Sequence, residues 1–142
     1  SKESSKNNLY TFKDEEKPPQ LHIETYNGGD KYEGELNDIK REGNGTYYFN
    51  DGDYYTGEFK DGKREGKGTE FYIDGSKYEG DWKADKRNGF GKFYYECGDL
   101  YEGNWKENKK EGYGKYTFNN GDTLQGDWRE DRMEGTGLYK VG

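Results

Sequence analysis

The 142-residue sequence carries a net charge of −7, and only 17 of its residues are Leu, Ile, Val or Phe. The acidic balance excludes nucleic acid as the main partner, because neutralising phosphates needs surplus Lys and Arg. No apolar run approaches the ~20 residues of a spanning helix, and the lone Cys97 permits no intrachain disulfide, which points to a reducing compartment.

Residues 1–19 are rich in Ser, Lys, Asn and Glu and end at Pro18-Pro19. They read as a flexible tail with one apolar island, Leu9, Tyr10 and Phe12, which could fold back onto the rest of the chain and mimic a partner. Residues 20–29 follow as a degenerate half repeat and cap. Five units come next, over 30–52, 53–75, 76–98, 99–121 and 122–142. Each opens with a short alternating run such as Tyr78 to Trp82. A polar loop (Lys83 to Gly89), a second run (Gly91 to Tyr95) and a turn (Cys97-Gly98) complete it. Asp51-Gly52, Asp74-Gly75 and Asn120-Gly121 close other units, and such pairs between alternating runs signal hairpins. The period within each run is two, so the runs are strands.

A composition this poor in aliphatics would by itself suggest disorder, but glycines and aromatics keep a fixed phase. Twenty of the 23 glycines fall on one 23-residue frame, in columns such as Gly34/Gly57/Gly80/Gly103/Gly126. Tyr32, Tyr55, Tyr78 and Tyr101 recur at the same interval, with Leu124 in the fifth copy, and so do Leu36, Phe59, Trp82, Trp105 and Trp128. A fixed period means one supersecondary unit copied along an axis. The sequence therefore predicts an all-β fold: an elongated, single-layered, twisted antiparallel sheet of tandem hairpins. At ~4.8 Å per strand, five repeats span roughly 45–50 Å. Tyr78, Gly80 and Trp82 share a face with Gly91, Phe93 and Tyr95, while Glu79, Asp81, Lys92 and Tyr94 take the other. Glycines at these points leave room for rings to lie flat, and a curved sheet with aromatics inside is a groove.

The pattern Tyr78-Glu79-Gly80-Asp81-Trp82 … Gly89-Phe90-Gly91, repeated in phase over about residues 30–139, resembles the MORN repeat. That family carries His or Asn before the first glycine of its Gly-x-Gly. Asn88 keeps this feature, whereas Glu42, Glu65, Glu111 and Glu134 replace it. The resemblance implies a hairpin-ribbon solenoid that acts as a scaffold, with no catalytic machinery and no cofactor. It also implies a cytoplasmic setting at the cytoskeleton, cell cortex, cilium or cytoplasmic face of a membrane.

Two surfaces are candidates. The first is an aromatic groove built from Tyr32, Tyr55, Tyr78, Tyr101, Leu36, Phe59, Trp82, Trp105, Trp128, Tyr47, Phe93 and Tyr116, suited to a helical or extended segment of a partner protein. The second is a basic ladder of Lys40-Arg41, Lys63-Arg64, Lys86-Arg87, Lys109-Lys110 and Arg132, set along one edge. It would suit anionic lipid or an acidic partner, although the neighbouring glutamates dilute it. The acidic columns Glu33/Glu79/Glu102 and Glu35/Glu58/Asp81/Asp127 read as a solvated sheet face, since a calcium site needs oxygens converging on one loop. His22 has no triad partners, and no metal site is predicted. Strand edges and ends also offer homodimer pairing. The expectation is a non-enzymatic scaffold that links cytoskeletal or membrane-associated assemblies, its groove contacts only modestly weakened by salt.

Overall fold

The structure, a computed structural model, describes residues 20–142, so the tail 1–19 with Leu9, Tyr10 and Phe12 lies outside the described residues. Eleven strands follow in chain order: β1 (His22–Thr25), β2 (Lys31–Asn37), β3 (Lys40–Tyr48), β4 (Tyr54–Lys60), β5 (Lys63–Phe71), β6 (Lys77–Lys83), β7 (Lys86–Tyr94), β8 (Leu100–Lys106), β9 (Lys109–Thr117), β10 (Thr123–Arg129) and β11 (Arg132–Lys140). They form one open sheet in the order β1 to β11. Every neighbouring pair is antiparallel. The tandem-hairpin architecture expected from the sequence is the observed fold.

The second strand of each unit is longer than predicted. β7 begins at Lys86, so the predicted loop from Lys83 to Gly89 contracts to the two residues Ala84 and Asp85. Both have positive φ, 48° and 71°, as do Glu107 and Asn108 (48° and 72°) and Glu130 and Asp131 (48° and 71°). Positive φ at both central residues defines the type I′ turn, whose twist matches that of the flanking strands. Ala84-Asp85 carries no glycine, so the sequence signal for this turn was weak, although Asp61-Gly62 in the second unit shows it openly.

Within each hairpin one residue of the first strand faces three of the second. Gly80 pairs with Gly91 and Trp82 with Arg87, leaving Asp81 opposite Asn88, Gly89 and Phe90. The kink frees the Asp81 carbonyl, and the Tyr78 hydroxyl donates to it at 2.8 Å. Tyr32, Tyr55 and Tyr101 do the same to the carbonyls of Glu35, Glu58 and Asn104, at 2.7, 2.8 and 3.1 Å. To reach that carbonyl, each ring lies across a glycine pair. A Cβ on Gly45, Gly68, Gly91 or Gly114 would overlap the ring of Tyr32, Tyr55, Tyr78 or Tyr101. The glycines pair with one another from β2 to β10, forming one stripe across the sheet.

The buried rings then connect repeats. Tyr32 meets Phe59 edge-on with ring centroids 5.2 Å apart, Phe59 meets Tyr55 at 5.1 Å, and Tyr55 meets Trp82 at 5.2 Å. The zigzag continues through Tyr78, Trp105 and Tyr101 to Trp128. Edge-to-face packing suits the aromatic quadrupole and adds about 0.5–1.5 kcal/mol per pair beyond burial. The Trp82, Trp105 and Trp128 indole N–H groups donate to the carbonyls of Gly68, Gly91 and Gly114, the glycines beneath the preceding tyrosines.

Removing only the hydroxyl in Tyr78→Phe leaves the Asp81 carbonyl without its donor and should lower stability by about 1–2 kcal/mol. Gly91→Ala should cost at least as much, about 1–3 kcal/mol or more, because the added methyl overlaps the Tyr78 ring. Urea-unfolding midpoints of the two variants measure both effects, and a neutral Gly91→Ala would refute the ring-over-glycine packing as the constraint.

Candidate functional site

The zigzag gives the predicted groove residues two different fates. Tyr32, Tyr55, Tyr78 and Tyr101 have no exposed surface, and Phe59, Trp82 and Trp105 keep only 4–5 %. These seven are the core, not a binding surface, and the expectation that a partner lies against them is corrected. Leu36, Tyr47, Phe93, Tyr116 and Trp128 are partly buried and pack against that core. The surface a partner could touch is therefore an outer row of rings.

That row includes residues the sequence reading had not placed in the groove. Tyr26 stacks on Tyr47 at 5.8 Å, and Tyr47 packs on Phe49 at 4.9 Å. A second stretch runs from Tyr72 to Phe93, Tyr95, Tyr116, Phe118 and Tyr139, with centroid separations of 4.7–6.0 Å. The missed column is Tyr26, Phe49, Tyr72, Tyr95 and Phe118, and its signal was the 23-residue interval itself.

The basic ladder also divides. Lys40, Lys63, Lys86, Lys109 and Arg132 are exposed, as expected of an edge. Their neighbours are not on that edge, because adjacent strand residues point to opposite faces. Arg64 lies over Trp82, 4.6 Å from the ring centroid, and over Tyr55 at 5.8 Å. Arg87 covers Trp105 at 4.8 Å and Tyr78 at 5.7 Å. Arg41 covers Tyr47, Tyr32 and Phe59 within 4.9–5.9 Å, and Lys110 covers Tyr101, Trp105 and Trp128 within 5.5–5.9 Å. The inner basic column is thus a lid on the aromatic core, held by cation–π attraction and by its apolar stem.

Each lid is anchored to the next repeat. Arg64 Nε donates to Asp85 Oδ1 at 3.1 Å, Nη2 donates to the Asp85 carbonyl at 3.0 Å, and the Arg64 backbone N–H reaches the same Oδ1 at 2.8 Å. Arg87 makes the equivalent three bonds to Asn108. The Lys110 backbone donates to Asp131 at 2.8 Å. The glutamates that replace the family's His or Asn have a structural task as well. Glu42, Glu65, Asn88 and Glu111 each accept a backbone N–H from the following turn, at 2.9–3.2 Å. On the opposite face Glu35, Glu58 and Asp81 accept the N–H groups of Asn44, Lys67 and Phe90 at 3.1–3.3 Å.

The outer row is tied down by aspartates at repeat starts. The hydroxyls of Tyr47 and Tyr116 donate to Asp30 and Asp99 at 2.8 and 2.7 Å, and Tyr139 donates to Asp122. Burial, helped by the Asp30 contact, pushes the Tyr47 hydroxyl up to about 12, and burial, with Glu35 and Tyr26 adding to it, raises Tyr32 to about 12 against the pull of Arg41. These hydroxyls are neutral donors at physiological pH. Donation from Tyr116 and Tyr139 holds the carboxyls of Asp99 and Asp122 below their ordinary range. In the third repeat both partners change together, to Ser76 and Phe93. In the second repeat Glu70 takes the ring's place near Asp53. It is 8 % exposed and paired with Arg64 at 2.9 Å, and it interrupts the row between Phe49 and Tyr72.

Burial raises the Glu70 carboxyl above its ordinary value, opposed by Arg64. Its raised folded-state pKa means that stability is fully present below the ordinary carboxylate range and is lost as pH rises through the folded value. Glu70→Tyr, which restores the Asp–Tyr pair of the first, fourth and fifth repeats, should therefore stabilise the protein by about 1 kcal/mol at pH 7. The gain should shrink as pH falls to 4. Urea midpoints at the two pH values test this, and a gain that grows on acidification would refute it.

The MORN repeat profile matches residues 32–54, 55–77, 78–99, 101–123 and 125–140. No curated protein matches the chain in sequence. Among solved structures, the fold is similar to the SAS-4 (dCPAP) TCP domain of Drosophila melanogaster, determined in complex with a proline-rich motif of Ana2 (dSTIL). The identity is 13 %, the TM-score is 0.52, and the alignment covers 86 % of this chain and 72 % of that one. At that identity the likeness is one of fold. With five tandem matches over the units that build the tyrosine–glycine stripe, the chain belongs to the MORN repeat family.

Proposed function

We propose that the chain is a non-enzymatic interaction scaffold that holds an extended segment of a partner protein along its outer aromatic row. The observation that carries this reading is the row itself: rings at the surface in two stretches, Tyr26 to Phe49 and Tyr72 to Tyr139. A single-layered sheet brings no second layer to cover them, and an aromatic strip on a surface is the mark of an interaction site. MORN repeats serve generally as protein- and membrane-interaction modules, which agrees with a binding role.

The spacing favours an extended segment over a helical one. Two strands per repeat advance the row by about 9–10 Å. A polyproline II segment completes one turn of three residues in about 9.3 Å, so one residue in three returns to the row at each repeat. An α-helix, with a pitch of about 5.4 Å, keeps no such phase. Aromatic-lined surfaces also suit polyproline II because the ligand is already ordered, and the similarly folded SAS-4 domain is in complex with a proline-rich motif. Asp30, Asp99 and the inner arginines flank the row and would set the segment's direction. Lipid binding draws less support, because the inner half of the basic ladder is committed to the core. In the outer half, Lys86 and Lys109 face Glu107 and Glu130. A cytoplasmic place in cytoskeletal or membrane-associated assemblies belongs to the same proposal.

The test uses a fluorescent peptide with proline at every third position, followed by anisotropy at low and high salt. The double substitution Tyr95→Ala with Tyr116→Ala should weaken binding about tenfold or more. Phe90→Ala with Tyr113→Ala, on the opposite face, should leave it unchanged, and salt should have little effect. Equal losses from both faces would sink the reading. Binding only to phosphatidylserine vesicles, abolished by salt, would replace it with membrane association.

A further inference from the structure

One repeat lacks the anchor that its neighbours share. Arg64 and Arg87 each direct Nε and the backbone N–H at a single side-chain oxygen, from Asp85 and Asn108. The equivalent partner of Arg41 is Gly62, which has no side chain. Arg41 otherwise keeps the common pose: Nη2 donates to the Gly62 carbonyl at 2.6 Å and the Gly62 N–H donates to the Arg41 carbonyl at 2.9 Å. Among the described residues its Nε has no acceptor and is a buried unpaired side-chain atom. A buried charged donor without an acceptor is costly.

The same place holds a cavity of about 190 Å³, lined by the Arg41 and Arg64 side chains, the rings of Tyr47, Phe49 and Phe59, and Asp85. Asp85 is already engaged by Arg64 at 3.1 Å, so the cation left unmatched is Arg41. Two guanidinium groups beside a small cavity suit a planar anion. Arg forks match carboxylate geometry. Tyr47 and Phe49 belong to the outer row, so the cavity opens where a bound segment would pass.

We propose that this cavity is a carboxylate-binding site, in which an Asp or Glu side chain from the partner segment takes the position that Asp85 holds in the next repeat. The assignment of the carboxylate to a partner rests on the groove reading, whereas the site itself does not. Its consequence is register. Similar rings in most repeats leave the register of a proline-rich segment loosely set, and a single carboxylate receptor beside Gly62 fixes where it stops.

The backbone already accepts a filled version. Gly62 has φ +81°, close to the 71° of Asp85, and a Cβ built there meets nothing nearer than Arg41 Nη2 at 3.8 Å. The experiment therefore follows arginine Nε–Hε signals by NMR during a titration with sodium acetate, against sodium chloride at equal ionic strength. Arg41 should respond saturably while Arg64 and Arg87, which carry their own acceptors, should not. Gly62→Asp should abolish the acetate response and raise the melting midpoint by about 2–4 °C. No saturable response at Arg41, a similar response at all three arginines, or an unchanged response in Gly62→Asp would overturn the site. The titration contains no peptide, so acetate saturation alongside a peptide that does not bind would retire the groove and leave the carboxylate site standing.

Discussion

Each repeat is organised by a tyrosine ring laid flat across two paired glycines, with its hydroxyl fastened to the carbonyl that the hairpin kink releases. The contact requires three things at once. The glycines must lack a Cβ, the ring must carry an oxygen, and the second strand must bulge so that the facing carbonyl of the first is free to accept. Once the ring is fixed, its edges receive the tryptophan of its own repeat and that of the next. Long-range order in the sheet is therefore a chain of nearest-neighbour contacts, as in other solenoids. The fifth repeat shows the contrast. Leu124 cannot reach a carbonyl, and a Cβ on Gly126 would meet no ring, only Met133 and Gly137.

A single-layered sheet with an aromatic core needs a cover, and here the cover is cationic. The inner arginines lie on the rings with their stems and guanidinium planes, and each is held by the turn of the following repeat. The arrangement explains why basic residues recur in an acidic protein without forming a basic surface. It also explains the acidic excess. Many carboxylates serve as acceptors for backbone N–H groups that the bulges and tight turns leave without ladder partners. The net charge is in good part the residue of local hydrogen-bond satisfaction.

Much of this was legible in the sequence, because the same constraints repeat in phase. The glycine and tyrosine columns implied hairpins stacked in one sheet, and the alternation within Tyr78-Glu79-Gly80-Asp81-Trp82 assigned the two faces. Loop length was less legible, since Ala84-Asp85 adopts positive φ without the glycine that advertises it. The basic pairs were misplaced for a related reason. With the loop drawn too long, Arg87 falls in solvent, but with β7 beginning at Lys86 it falls on the aromatic face. The depth of the tyrosines was hidden because exposure depends on what the arginines cover. The outer ring column was visible in the spacing and was passed over because its members sit at the start of turns, where a polar residue is the usual expectation.

The departures from periodicity carry the individuality of this chain. A perfect repeat offers the same surface at every step and so cannot specify a register for anything lying along it. Four residues break that equivalence on the aromatic side of the second and third repeats: Glu70 interrupts the row, Ser76 with Phe93 removes a tyrosine–aspartate pair as a unit, and Gly62 leaves Arg41 without its anchor. The fourth repeat keeps the tyrosine–aspartate pair and the buried rings, with Lys110 in place of the inner arginine. Ring packing is shared along the whole length, so these sites can differ without disturbing the core. The regular positions build the ribbon, and discrimination among partners is left to the irregular ones.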